Sequence, residues 1–99
     1  MHGREARPAR YALEQNVPNP FRDATVIGYA LPEASEARLE IFDAQGRLVR
    51  RFTERAAAGR HTLAWDLRDR SGRRVAPGLY AYRLRAGSFE ARRKLVVMP

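Results

Sequence analysis

The sequence predicts an all-β chain, an antiparallel sandwich of about seven short strands. Three observations carry that prediction. Apolar and polar residues alternate with period two through several segments. Turn residues interrupt the alternation every dozen or so positions. No stretch offers a sustained helical period: Ala56-Ala57-Ala58 is too short, and Gly59 stops it.

Taken in order, residues 1–10 are polar and basic without an apolar period, and read as linker. Met1-His2-Gly3 is set aside as tag residue. The expected division is therefore residues 1–12 as linker and tag, and 13–99 as one folded domain. Asn16-Val17-Pro18-Asn19-Pro20-Phe21 contains two prolines, which cannot donate to a central ladder. It reads as an ordered loop or edge crossing, with Val17 and Phe21 as inward anchors. In residues 25–31, Ile27, Tyr29 and Leu31 alternate with Gly28 and Ala30, a strand with one buried face. Pro32-Glu33-Ala34-Ser35 breaks it, and Ala37, Leu39 and Ile41 mark the buried side of the next strand.

Asp43-Ala44-Gln45-Gly46 has the turn signature of an acidic first residue and a glycine last. Residues 48–53 return as hairpin partner, with a less definite register because Leu48, Val49 and Phe52 do not alternate. After Gly59, His61, Leu63 and Trp65 share one side of a strand. Asp69-Arg70-Ser71-Gly72 turns again. Tyr80, Tyr82 and Leu84 then face one way, and Ala81, Arg83 and Arg85 the other. Ala86-Gly87 leads into a last strand of roughly residues 89–98.

Ninety-nine residues, 44% hydrophobic and 30% charged, suit a single domain with one core rather than a disordered chain. There is no cysteine, which excludes disulfides and sulfur-based metal sites. No apolar run approaches the roughly 18 residues of a membrane-spanning helix. No opening segment has the layout of an export signal, so passage out of the cytoplasm would need a signal on an upstream part of the chain. The net charge is +8, carried by 19 basic residues of which only Lys94 is not arginine. The arginines are scattered, as in a solvated surface. Nucleic acid is not the expected partner, because no aromatics stand between the basic residues to stack on bases.

The residues that could carry chemistry mostly have structural readings. Trp65, Tyr80 and Tyr82 would stack on sugars if exposed, but their strand positions place them in the core, each polar tip bonded to nearby backbone. A tyrosine at the start of a late strand would also serve as the corner tyrosine of such sandwiches. His61 has no companion for a metal site, and Ser71, His61 and Asp66 lack any nucleophile elbow. Catalysis is not expected, and neither is a cofactor. Asp43, Asp66 and Asp69 lie at strand ends where calcium binds in other proteins, although turn formation accounts for them. Arg83 and Arg85, beside Arg92, Arg93 and Lys94 on the next strand, would form a basic strip on one sheet, able to hold phosphate or acidic groups.

Several of these pieces stand in a recognisable order. They are Asn16-Val17-Pro18-Asn19-Pro20-Phe21, Ile27-Gly28-Tyr29-Ala30-Leu31-Pro32, Leu39-Glu40-Ile41-Phe42-Asp43 with Gly46-Arg47, and Gly59-Arg60-His61 with Trp65-Asp66. Asp69-Arg70-Ser71-Gly72, Gly78-Leu79-Tyr80-Ala81-Tyr82-Arg83-Leu84 and Lys94-Leu95-Val96-Val97 complete them. Over roughly residues 13–97 the chain resembles the C-terminal sorting domain of type IX secretion substrates. It is also similar to the Ig-like domain of flagellar hook-capping proteins.

The resemblance implies an Ig-like sandwich of seven strands, non-catalytic, at the end of a larger protein with an upstream catalytic or adhesin domain. It implies recognition by an outer-membrane translocon and its surface-attachment machinery, passage through the periplasm, and a secreted or cell-surface destination. Anionic lipopolysaccharide is a further implied partner. By the same resemblance, Pro77, Gly78 and Tyr80, with Arg92, Arg93 and Lys94, are the partner-recognition residues. The ending Val97-Met98-Pro99 departs from the family pattern in lacking a second basic residue after the last apolar run. Recognition would run along one edge and the C-terminal strand, by β-augmentation. Removing residues 94–99 is expected to abolish export while sparing most of the core. A carbohydrate-binding module and a hook-capping scaffold are the competing readings.

Overall fold

A computed structural model describes residues 7–99; residues 1–6 of the linker expected over 1–12 lie outside the described residues. Seven strands follow in order: β1 Ala12–Leu13, β2 Thr25–Leu31, β3 Ser35–Phe42, β4 Leu48–Ala56, β5 Gly59–Trp65, β6 Gly78–Ala86 and β7 Phe89–Val97. They form two antiparallel sheets, one ordered β1-β2-β5 and the other β4-β3-β6-β7. This is the predicted Ig-like sandwich. The chain changes sheet at β2–β3, β4–β5 and β5–β6, so that β3 and β6 lie side by side although far apart in sequence.

Period-two alternation decides which side chains are inside. Ile27, Tyr29 and Leu31 from β2 meet Ala37, Leu39 and Ile41 from β3, and all are buried. Tyr80, Tyr82 and Leu84 from β6 and Leu95 and Val97 from β7 complete that layer. Trp65 sits at its centre, wholly buried, with its ring edge-on to Phe21 and to Tyr80 at centroid distances of 6.1 and 6.0 Å. The β3–β4 register shifts between Ile41 and Phe42. This bulge is why residues 48–53 show no clean alternation.

Val17 corrects the sequence reading. It was expected inside with Phe21, but it is 69% exposed while Phe21 is 1% exposed. Val17 makes two backbone hydrogen bonds with Val26, both 2.9 Å, on the outer side of β2. An edge bridge fixes its side chain outward, and only Phe21 reaches the interior. Leu67 went unnoticed in the sequence because it lies between two turn signals. It is fully buried at a φ of 67°, a conformation costly for a branched side chain, and it is held by the Val75 N–H bonding its carbonyl at 2.8 Å.

The polar tips of the three large aromatics are satisfied by backbone, as anticipated. Trp65 Nε1 donates to Arg68 O at 2.9 Å, Tyr80 Oη to Ala76 O at 2.5 Å, and Tyr82 Oη to Glu14 O at 2.6 Å. Tyr80 bonds four residues upstream, the corner geometry of these sandwiches. Tyr82 also accepts the buried Asn16 N–H at 2.9 Å. Burial pushes its phenol up, against the Asn16 N–H and the Arg93 charge, so it stays a neutral donor at physiological pH. Replacing Tyr82 with Phe strands two backbone groups. Urea unfolding is expected to show a loss of about 1–3 kcal/mol, with little change in m; an unchanged midpoint would mean that water takes over both groups.

Candidate recognition site

β6 and β7 pair throughout, Gly78 opposite Val97, Tyr80 opposite Leu95, Arg83 opposite Arg92 and Ala86 opposite Phe89. The six residues singled out in the sequence are therefore brought onto one hairpin, but not onto one surface. Pro77 and Gly78 are exposed at its open end. Gly78 has a φ of 145°, which only glycine adopts without strain, and this conformation turns the chain from the Val75-Ala76-Pro77 loop into β6. Tyr80 is 7% exposed, too buried for its ring to be a direct contact. It supports the Pro77 turn from beneath through its bond to Ala76 O. Burial and the nearby Asp43 charge push its phenol up, which keeps the proton on the donor.

The proposed basic strip requires correction. Arg92 and Lys94 lie on the outer face of β7, opposite Arg83 and Ala81. Arg93 belongs to the opposite, core-side row, paired with Tyr82, and its Nε donates to Leu13 O at 2.6 Å. Adjacent residues of a strand point to opposite faces, so three consecutive basic residues cannot share one. Arg83 is also withdrawn from any partner. Its Nη2 and Nε bond Glu40 Oε1 at 2.6 and 3.2 Å, and Arg51 grips Glu40 Oε2 with Nη2 and Nε at 2.8 and 3.0 Å. The Glu40 side chain is only 4% exposed. Burial raises its pKa, but the bonds and charges of Arg83 and Arg51 outweigh that and hold it below the usual glutamate range.

The far edge of β7 is not free either. Gln15 Nε2 donates to Lys94 O at 2.7 Å, and Val96 N–H to Asn19 Oδ1 at 2.9 Å. Phe21 N–H donates to Val96 O at 3.1 Å and Met98 N–H to Phe21 O at 2.7 Å, while Tyr11 stacks on Phe89 at 5.1 Å. The segment before β2 thus occupies the edge along which a partner strand was expected to add. Sequence reasoning saw the two prolines of this segment but not its destination, because nothing local marks a pairing almost eighty residues away.

The other chemical candidates dissolve into local structure. His61 Nε2 lies 2.8 Å from Ala57 O and its ring stacks on Tyr29, while Ser71 Oγ bonds Asp69 Oδ1 at 2.7 Å; no triad forms. Asp43 Oδ1 accepts the Gln45 and Arg47 N–H groups, and Asp69 Oδ1 those of Ser71 and Arg73. Both carboxylates are held below the usual range, Asp43 first by the Arg47 N–H and Asp69 first by the Ser71 hydroxyl. Asp66 pairs with Arg50 and Arg68 at 3.5 and 3.9 Å. Among the described residues no group of acidic or histidine side chains could hold a metal ion.

What remains is a two-sheet Ig-like domain in which the sequence-predicted recognition residues gather on the β6–β7 hairpin and its open end. The chain belongs to the FlgD Ig-like domain family, whose model matches residues 19–88. FlgD of Xanthomonas campestris, a hook-capping protein essential for flagellar assembly, is 29% identical. The match covers 87% of this chain and 65% of that one with a TM-score of 0.63. PorU of Porphyromonas gingivalis, in a dimeric latent form, is 22% identical over 91% of this chain, TM-score 0.74. PorZ of the same bacterium, an essential surface component of its type-IX secretion system, is 22% identical over 90%, TM-score 0.61. This chain spans only 10% of the PorU chain and 11% of the PorZ chain. Comparison with curated sequences returns no match.

Proposed function

We propose that the domain is a non-catalytic sorting and interaction module, directing a larger protein through a type IX secretion system to the cell surface. The observation that carries this reading is the exposed Pro77-Gly78 turn, built on a β6–β7 hairpin whose other strand bears Lys94. Two sequence motifs nearly twenty residues apart thereby share one strand pair, which supports reading them as parts of one recognition element. The likeness of nine-tenths of the chain to part of PorZ, a component of such a system, lends support at the level of fold. The partners are then an outer-membrane translocon and the surface-attachment machinery beyond it, with the periplasm as the route. A second reading, a scaffold domain of hook-capping type, is favoured by the family match and by the FlgD likeness.

A fusion of residues 9–99 to a periplasm-directed fluorescent protein separates the two. In a host with an intact type IX apparatus, fluorescence is expected at the surface or in the medium. In the same strain without the translocon it stays in the periplasm. Retention in both strains, with the domain folded, would remove the sorting reading and leave the scaffold. Deletion of residues 94–99 is not a clean companion test, because it takes away the buried Leu95 and Val97 and the partner of Phe21. Lys94→Glu leaves the core intact and is expected to reduce export severalfold.

A further inference from the structure

The outer face of the β4-β3-β6-β7 sheet has two unlike halves. One is charged, with the Glu40 cluster and the Arg85–Glu90 pair at 3.2 Å. The other, toward the Pro77 end, is apolar. Leu79 and Val96 stand directly opposite each other there, 48% and 40% exposed, although most large apolar side chains of the domain are buried. Behind them Ala81 pairs with both Phe42 and Lys94 in one row across three strands. The Arg83 guanidinium covers the Phe42 ring at 5.2 Å. A cleft of about 190 Å³, lined by Asp43, Ala44, Leu79, Tyr80, Ala81 and Lys94, opens beside this row. Lys94 takes part in none of the ion pairs made by the described residues.

We infer that this half-face is a docking surface for an acidic, apolar segment of a partner protein. An aliphatic or aromatic side chain of that segment covers Leu79 and Val96, and a neighbouring carboxylate pairs with Lys94. The inference rests on the sorting reading for its biological setting and names the chemistry of the partner at that site. Charge selects the occupant. With a net charge of +8 on each copy and Lys94 set against its own counterpart, a second copy of this chain is repelled. An anionic membrane is disfavoured as well. Leu79 and Val96 sit flush on a strand pair instead of projecting from a loop or helix, and the Asp43 carboxylate lies at the cleft where headgroups would settle. The Asp43 oxygens are already bonded to the Gln45 N–H and the Arg47 guanidinium, which leaves Lys94 as the charge that a peptide carboxylate meets. Apolar contact supplies most of the affinity, and the ion pair at its rim supplies orientation.

The test is selection of a random dodecapeptide display library on the immobilised chain. Enriched peptides are expected to carry Asp or Glu next to a large apolar residue. Their affinity should fall at least about tenfold for Lys94→Glu and for Leu79→Glu/Val96→Glu. Thr62→Glu, on the other sheet, should leave affinity unchanged. All these positions are solvent-exposed, and circular dichroism verifies that each variant is folded. Absence of enrichment, peptides without acidic residues, or affinities indifferent to these variants would overturn the inference. So would lysine- and leucine-dependent binding to phosphatidylglycerol vesicles in place of acidic peptides. Export of the same variants, measured with the fluorescent fusion, separates the two levels. Peptide selection as expected with normal export of Lys94→Glu would sink sorting and keep the docking surface. Failed selection with translocon-dependent export would do the reverse.

Discussion

Trp65→Ala is expected to remove about 3–5 kcal/mol of stability, the largest loss from any single core truncation in this domain. The ring is wholly buried between Phe21 and Tyr80, and its Nε1–H satisfies Arg68 O. Removal leaves a cavity bounded by two aromatics that cannot both relax, because Phe21 is tied to β7 by backbone bonds on either side. It also removes one of the two donors to the Arg68 carbonyl, which keeps Arg50 Nη1 at 3.2 Å. In a domain of this size each kcal/mol moves the thermal midpoint by about 4–8 °C, so the midpoint should fall by at least about 12 °C. Trp65 is the only tryptophan, so the measurement is far-UV circular dichroism rather than fluorescence. Trp65→Phe should recover most of the loss, leaving only the cost of one lost hydrogen bond to a carbonyl that Arg50 still reaches. A drop of less than about 1 kcal/mol for the alanine variant would mean that the two sheets close over the gap.

Glu40 provides the second large effect, and its sign depends on what accompanies the change. Glu40→Ala leaves Arg83, whose side chain is 15% exposed, without its counter-charge, and should cost about 3 kcal/mol. Arg51 is half exposed and suffers little. Replacing Glu40, Arg51 and Arg83 together by leucine or methionine should be nearly neutral, since the desolvation of all three charges disappears with their attraction. The same carboxyl makes stability depend on pH. Its folded pKa lies below the unfolded glutamate value of about 4.3. Its contribution is therefore complete above that value and is lost as pH falls through the lower, folded one. Urea midpoints measured from pH 7 to pH 2.5 should fall in this acid window, and Glu40→Gln should flatten that part of the curve. An unaltered acid limb in Glu40→Gln would assign the loss to Asp43 and Asp69 instead, whose carboxyls are lowered too.

The fold was legible because strand alternation is a local property. Ile27, Tyr29 and Leu31, or Tyr80, Tyr82 and Leu84, declare their buried face within a handful of residues, and the structure buries each of them. The polar tips of the aromatics were equally legible, because a buried phenol or indole must find an acceptor. Three features were not. Val17 and Phe21 are both apolar and flank the same prolines, and only the bridge to Val26 decides which one turns inward. Leu67 hides between two turn signals and owes its burial to the packing of the whole loop. The basic strip failed at Arg93 by a rule that the sequence itself contains, the opposite facing of neighbours along a strand. Lys94 retained its place, since its row is fixed by the pairing with Ala81. Its apolar surroundings are a property of three strands at once, and no linear window holds them together.

The closure of β7 by the segment before β2 bears on the order in which the molecule comes into being. Gln15 meets Lys94, Asn19 meets Val96, and Leu13 meets Arg93, contacts separated by 79, 77 and 80 positions. None can form until residues 93–96 have emerged from the ribosome, and Phe21 lacks its backbone partners Val96 and Met98 until residue 98 has followed. A nascent chain halted before Leu95 would hold β2 to β6 without the strand that closes them, an open assembly that chaperones can still engage. Folding of the domain thus waits on synthesis of its own last strand.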